Sequence, residues 1–384
     1  MALAFGIGGG SGPVIGGSLA ERGHWRWLFY FNLFICGLVA ALLAVFLCLK
    51  KPNTPLHEKL KQIDWIGNLI IVASTTSIVI ALSWAGIQFP WSSAKVLVPL
   101  ILGILGLFGF LAYEAFVSEF PIVPISLLAS RTALSGYAQN YFNGIVLVCI
   151  SYWISVYFQA CKDAGPTAAG VDSFGLSYTI SPASVVASVI IQRISRYRQP
   201  MWFGWILIIV GCALLGTLDE NSSRSMCYGF QALVGVGMGT IYVASYFPVL
   251  APIPVYQSTA ALAFFTFVRN FASIWGITIG GTVLQNQLVK RLPSTFLTQF
   301  PGGTHTQIAF EVIPSIRNLP QPLKDQVRHA FAGSLQVLWN VLAGIAGLGL
   351  VASLLMKHHP LHTSVDSNWG RVDVDVKEKD EVAA

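Results

Sequence analysis

The chain has 384 residues, of which 54% are hydrophobic and only 10% charged, with a formal net charge of +6. Soluble domains carry about 25% charged residues, so a chain this apolar has no water-soluble fold in which to hide its surface. Its basic residues sit in short loops between apolar runs rather than on one face, which reads as the positive-inside bias of a membrane protein and excludes nucleic acid as a partner.

Crossing a ~30 Å hydrocarbon core takes about 20 helical residues. Uncharged windows of that order run from Met1 to Ala20, Leu28 to Leu49, Trp65 to Trp84, Val96 to Tyr113, Leu134 to Ala160, Ser173 to Gln192, Pro200 to Leu218 and Ala330 to Met356. The stretch from Met226 to Val289 holds one charge, Arg269, and is too long for one span; Pro248, Pro252 and Pro254 break it where a turn is needed, giving two more helices. The predicted architecture is therefore an all-α integral membrane protein of about ten transmembrane helices. A β-barrel is the rival, but its strands alternate with period 2, whereas Leu38 to Leu49 reads LVAALLAVFLCL. The first window lacks the basic start of a signal peptide and is glycine-rich, so it reads as a helix that stays.

Lys50, Lys51, Lys59 and Lys61 share one face with Arg193, Arg196 and Arg198, which the positive-inside rule makes cytoplasmic. Against this, the opposite loop from Lys290 to Arg328 holds five Lys or Arg. Its prolines at 293, 301, 314, 320 and 322 preclude one helix, while Ile308, Val312, Ile313 and Ile316 suit a short segment lying on the bilayer. The tail after Lys357 is polar and has the composition of a disordered cytoplasmic end. Four of six cysteines fall within spans and no CxxC pair occurs; the seven histidines all lie outside spans, so no metal or other cofactor is expected. No Walker A sequence and no nucleophile elbow is present, which argues against an enzyme.

Within the first window, Gly8, Gly12 and Gly16 recur every four residues and make a smooth helical ridge, expected to pack on the helix from Ser173 to Gln192, with Pro13 adding a bend. Arg269 is the one charge deep in a span, and a mid-bilayer ion is a functional-site hypothesis by default. Its alternative role is a clamp on helix-end carbonyls. Gln139, Asn140 and Asn143 cluster within two turns of one helix, which gives that helix the best claim to an aqueous path; Asn270 and Gln231 complete the candidate polar set. Glu114 is expected to snorkel at the end of its span.

The combination GPVIGG, LAERGHWRW and LFYFNL at the start of the chain resembles the fifth and sixth helices of the major facilitator superfamily, in the fungal 14-spanner drug:proton antiporter branch. The resemblance continues through YFQACKDAGPTAAGV at Tyr157 to Val171 and FFTFVRNFASIWGITIGGTVLQNQL at Phe264 to Leu288. It implies that Gly12, Pro13, Gly16 and Gly17 form the antiporter motif that seals two halves of a transporter. It also implies that the family's first four helices are absent. On that scheme residues 1–49 are the last two helices of the N-terminal bundle, 50–64 a cytoplasmic loop and 65–117 two linker helices. Residues 118–356 are then a C-terminal six-helix bundle with an outer loop at 289–329, and 357–384 the tail. The implied function is alternating-access transport of small organic molecules, driven by proton exchange, in the lipid bilayer of a plasma or vacuolar membrane. The competing reading is a non-transporting truncated remnant or helix-packing partner.

Overall fold

The structure is a computed structural model that describes residues 2–47, 55–123, 125–293, 296, 308–357 and 359–360. Among the described residues it is helical, and nine helices are long and apolar enough to cross a membrane. Helix α1 (Ala2–Glu21), 20 residues long and rich in glycine, is not among those nine. The others are α2 (Trp27–Phe46), α3 (Trp65–Trp84), α4 (Ala94–Phe116), α5 (Arg131–Cys161), α6 (Pro166–Ile194), α7 (Arg198–Leu215), α8 (Arg224–Leu250), α9 (Val255–Arg291) and α10 (Leu323–Leu354).

Helices α5 to α10 form one bundle, with α5 at its centre against α9 and α10, and α8 between α6 and α7. Its core is built on Trp153, Trp205 and Trp339, all buried. Lipid offers no hydrophobic drive for helix association, so close backbone approach must supply the contact. Glycine on α8 allows it: a Cβ at Gly239 would stand 2.1 Å from the Ile180 carbonyl of α6, and one at Gly237 would stand 2.7 Å from the Gly204 carbonyl of α7. Neither neighbour is a movable side-chain tip.

At the end of the bundle where α5 stops, polar groups tie the loops down. Lys162 Nζ donates to the carbonyls of Glu220 and Ser222 at 2.6 and 2.5 Å, Arg328 Nε donates to the Cys161 carbonyl at 2.9 Å, and Lys324 pairs with Asp163 at 3.1 Å. Burial pushes the Lys162 ammonium below the ordinary lysine range, although the carbonyls satisfy its protons. The expected short segment in the following loop is a helix, Ile308–Ile316, but Val312 and Ile316 are buried in the bundle core. It packs on protein through those residues; the side chain of Ile308 lies outside the described residues.

Two hydrogen bonds dock α3 on α9: Thr282 Oγ1 donates to the Leu82 carbonyl at 3.1 Å and Asn286 Nδ2 to the Ala85 carbonyl at 3.0 Å. Glu114 does not snorkel. It is 3% exposed, its Oε2 accepting the Val123 N–H at 3.2 Å, because the chain after α4 turns back over it. Helix α2 has no buried residue. The expected polar tail from 361 onward and the Lys50–Lys51 segment lie outside the described residues.

Helix α1 packs on α6, the partner read from the sequence, but through a different face. The contact is made by Gly17, where a Cβ would lie 2.4 Å from the Pro166 carbonyl, and by Pro13, whose carbonyl carbon is 2.7 Å from a Cβ built at Gly170. A Cβ at Gly8 or Gly12 meets nothing within 4 Å, and one at Gly16 meets Leu28 of α2 at 4.0 Å. Four-residue spacing identifies a ridge without saying which neighbour uses it; here the α6 seam runs along Gly10, Pro13 and Gly17. Accordingly, Gly17→Leu should part α1 from α6 while Gly12→Leu should not. The check is disulfide formation between Glu21→Cys and Thr167→Cys, whose native side chains are hydrogen-bonded: it should fall sharply with Gly17→Leu and persist with Gly12→Leu.

Candidate functional site

Arg269 lies eleven residues into the regular helix Ser258–Arg291 of α9, roughly 16 Å along it at 1.5 Å per residue. Its guanidinium reaches toward the place where α8 breaks. Pro248 has no N–H to offer the carbonyl four residues back, so the regular helix Arg224–Ala244 stops and its last-turn carbonyls lose their partners. Arg269 Nη2 covers one of them, the Tyr242 carbonyl, at 3.0 Å. Nη1 donates to the Tyr246 hydroxyl at 3.3 Å and Nε to Asn140 Oδ1 of α5 at 2.9 Å. A cation at a helix C-terminus also meets the negative end of its dipole.

Three rings flank the charge. The guanidinium carbon is 3.9 Å from the centroid of Tyr242, 4.7 Å from Phe265 and 5.3 Å from Tyr246, within the range of cation–π attraction. Asn140 is fixed in turn because its Nδ2 donates to the Phe265 carbonyl at 2.8 Å. One amide therefore joins α5 to α9 twice.

Beside this clamp opens a cleft of about 450 Å³, lined by α1, α5, α6, α8 and α9. Its walls include Leu147, Val148, Leu176 and Ile180, with the hydroxyls of Ser151, Ser177 and Ser273 and the side chains of Arg269 and Asn270. Pro13 of α1 closes one side. Such a space, apolar with a few polar groups, has the size and character of a small-molecule site.

Of the polar residues singled out in the sequence, Arg269, Asn140 and Asn270 come together here. Gln139 does not: it faces α7 and α10, accepting the Trp205 Nε1 proton at 3.0 Å and donating to Ser135 Oγ at 3.0 Å. Gln231 binds the Asp172 carbonyl at 3.1 Å, near the end of α6. Asn143 is buried and does not line the cleft. The motif residue Pro13 lines it, Gly17 seats α1 beside it, and Gly12 and Gly16 face elsewhere. The aromatic cage was missed, although Tyr242 and Tyr246, one helical turn apart just before Pro248, were the available signal. Replacing Asn140 by Leu should leave Arg269 Nε without its acceptor in low dielectric, at a cost of about 1–3 kcal/mol, while the Phe265 carbonyl keeps its helical partner. The check is the thermal unfolding midpoint in detergent, which should drop for Asn140→Leu and hold for a substitution of lipid-facing Leu348.

Residues 1–277 match the Major Facilitator Superfamily. The chain is 35% identical over 366 residues to Efflux pump FUS6 of Gibberella moniliformis, covering 93% of this chain and 65% of that one. It is 34% identical over 376 residues to MFS-type efflux pump LUC4 of Fusarium sp, covering 96% and 66%. Among solved structures, the bacterial homolog of the human lysosomal transporter Spinster aligns with a TM-score of 0.47 at 14% identity, over 78% of this chain and 66% of that one. The chain thus spans 65% and 66% of the length of those two efflux pumps. On the match across residues 1–277 and on these identities, the chain belongs to the Major Facilitator Superfamily.

Proposed function

We propose that this chain supplies the substrate path of a secondary transporter that exports small organic molecules by alternating access, with proton exchange as the driving force. The observation that carries the reading is the cleft beside Arg269, part-way along the spanning helices and walled by α1 on one side and the α5–α10 bundle on the other. Alternating access needs such a site at a seam between two helix groups. Mostly apolar walls with a few hydroxyls suit an amphipathic molecule. Among the described residues that line it, none is His, Asp or Glu. The names of the similar proteins supply the outward direction, and proton coupling rests on the resemblance to the drug:proton branch. The working location is a plasma or vacuolar membrane.

The second reading, a helix-packing partner without transport, has one observation in its favour: no residue of α2 is buried. Transport separates the two. Cells producing the protein should retain several-fold less Nile red, a neutral lipophilic dye, than cells without it, and a protonophore should erase the difference. Ser177→Trp, which fills the cleft, should abolish export at unchanged membrane abundance. Normal export past that indole would overturn the assignment of the cleft.

A further inference from the structure

We infer that the cleft selects an amphipathic organic anion, its charged group read by Arg269; the inference rests on the cleft being the substrate path. A guanidinium carries five N–H donors. Asn140 Oδ1, the Tyr246 hydroxyl and the Tyr242 carbonyl take one each, from Nε, Nη1 and Nη2. One N–H on each terminal nitrogen remains, on a half-buried side chain that lines the cleft.

The charge itself is also unanswered. All three acceptors are neutral, as are the rings of Tyr242, Phe265 and Tyr246 around it. Among the described residues no carboxylate pairs with Arg269, and none of the cleft-lining side chains is acidic. An ion at this depth needs a counter-charge or water. A ligand that brings one negative charge into the cleft gains a charge-assisted bond to donors already oriented by Asn140 and Tyr242. Its uncharged body meets Leu147, Val148, Leu176 and Ile180. The same field repels lipophilic cations. The cleft volume of about 450 Å³ suits a drug-sized body rather than a two-chain phospholipid.

The test compares 1-pyrenebutyrate with 1-pyrenebutanol, which share an apolar body and differ in charge at pH 7.5, by equilibrium dialysis against the purified protein in neutral detergent. The acid should bind at least about tenfold more tightly, the scale of a charge-assisted hydrogen bond in a shielded site. Arg269→Gln should erase the preference by weakening the acid alone, and Arg269→Lys should keep part of it. Where Arg269→Gln fails to fold, the comparison on the native protein decides by itself. Equal affinities, with both probes excluded by Ser177→Trp, would overturn the charge preference and leave the cleft as substrate path intact. Binding of neither probe, or binding that Ser177→Trp leaves unchanged, would overturn both. Loss of pyrenebutyrate binding on adding phosphatidylglycerol, but not phosphatidylcholine, would assign the cation to a lipid headgroup and overturn the inference as well.

Discussion

Polar groups inside a bilayer have no water to fall back on, and the break in α8 at Pro248 creates free carbonyls at a depth where each costs several kcal/mol if left alone. Arg269 meets that demand from the neighbouring helix, and Asn140 meets Arg269 from a third. These bonds tie α8 to α9 and α9 to α5, beside the direct packing of α5 on α9. The same side chain caps a helix end with some of its protons and lines the cleft; on the function proposed above, stability and recognition would be coupled there rather than alternative.

Close packing does the remaining work. In lipid, helices adhere by van der Waals contact and by interhelical hydrogen bonds, since the tails are as apolar as leucine. Glycines bring α8 against α6 and α7, and the buried indole of Trp205 on α7, packed on Gly349 of α10, spends its N–H on Gln139 of α5. That amide looked like a path residue because it is polar and central. It is instead the acceptor that lets a tryptophan sit in the core without an unpaired donor.

The spans were legible because length and apolarity are set by the bilayer itself, and Arg269 was legible because an isolated charge in such a span is rare. What periodicity cannot convey is the partner. The ridge of Gly8, Gly12 and Gly16 is real as a surface, yet the α6 seam lies along Gly10, Pro13 and Gly17. Gln231 was indistinguishable from Asn140 by sequence, and only the fold sends one to the Asp172 carbonyl and the other to Arg269. Glu114 read as a snorkelling acid because it ends a helix; the backbone of Val123, folded back over it, is a tertiary contact with no local signal. In Ile308–Ile316 the apolar positions Val312 and Ile316 turn to the bundle core, a partner that an apolar stripe does not name.

The distribution of polar ties also says where this assembly yields most readily. Within the bundle, Arg328, Lys162 and Lys324 hold the ends of α5 and α10 and the loop after α7 in one charged network. Across the seams to α1 and α3 the ties are sparse: Thr167 to Glu21 on one side, Thr282 and Asn286 to the end of α3 on the other. A hydrogen bond contributes about 1 kcal/mol net, so the α3 seam, which adds little packing to its bonds, yields more readily than the bundle does, whereas α1 is held on α6 chiefly by the close backbone contacts at Pro13 and Gly17. The cleft lies at the α1 seam, with Pro13 on one wall and Arg269 on the other. On the proposed function, movement of α1 there would change access to the arginine, whose carbonyl, hydroxyl and amide partners all belong to α5 and α8.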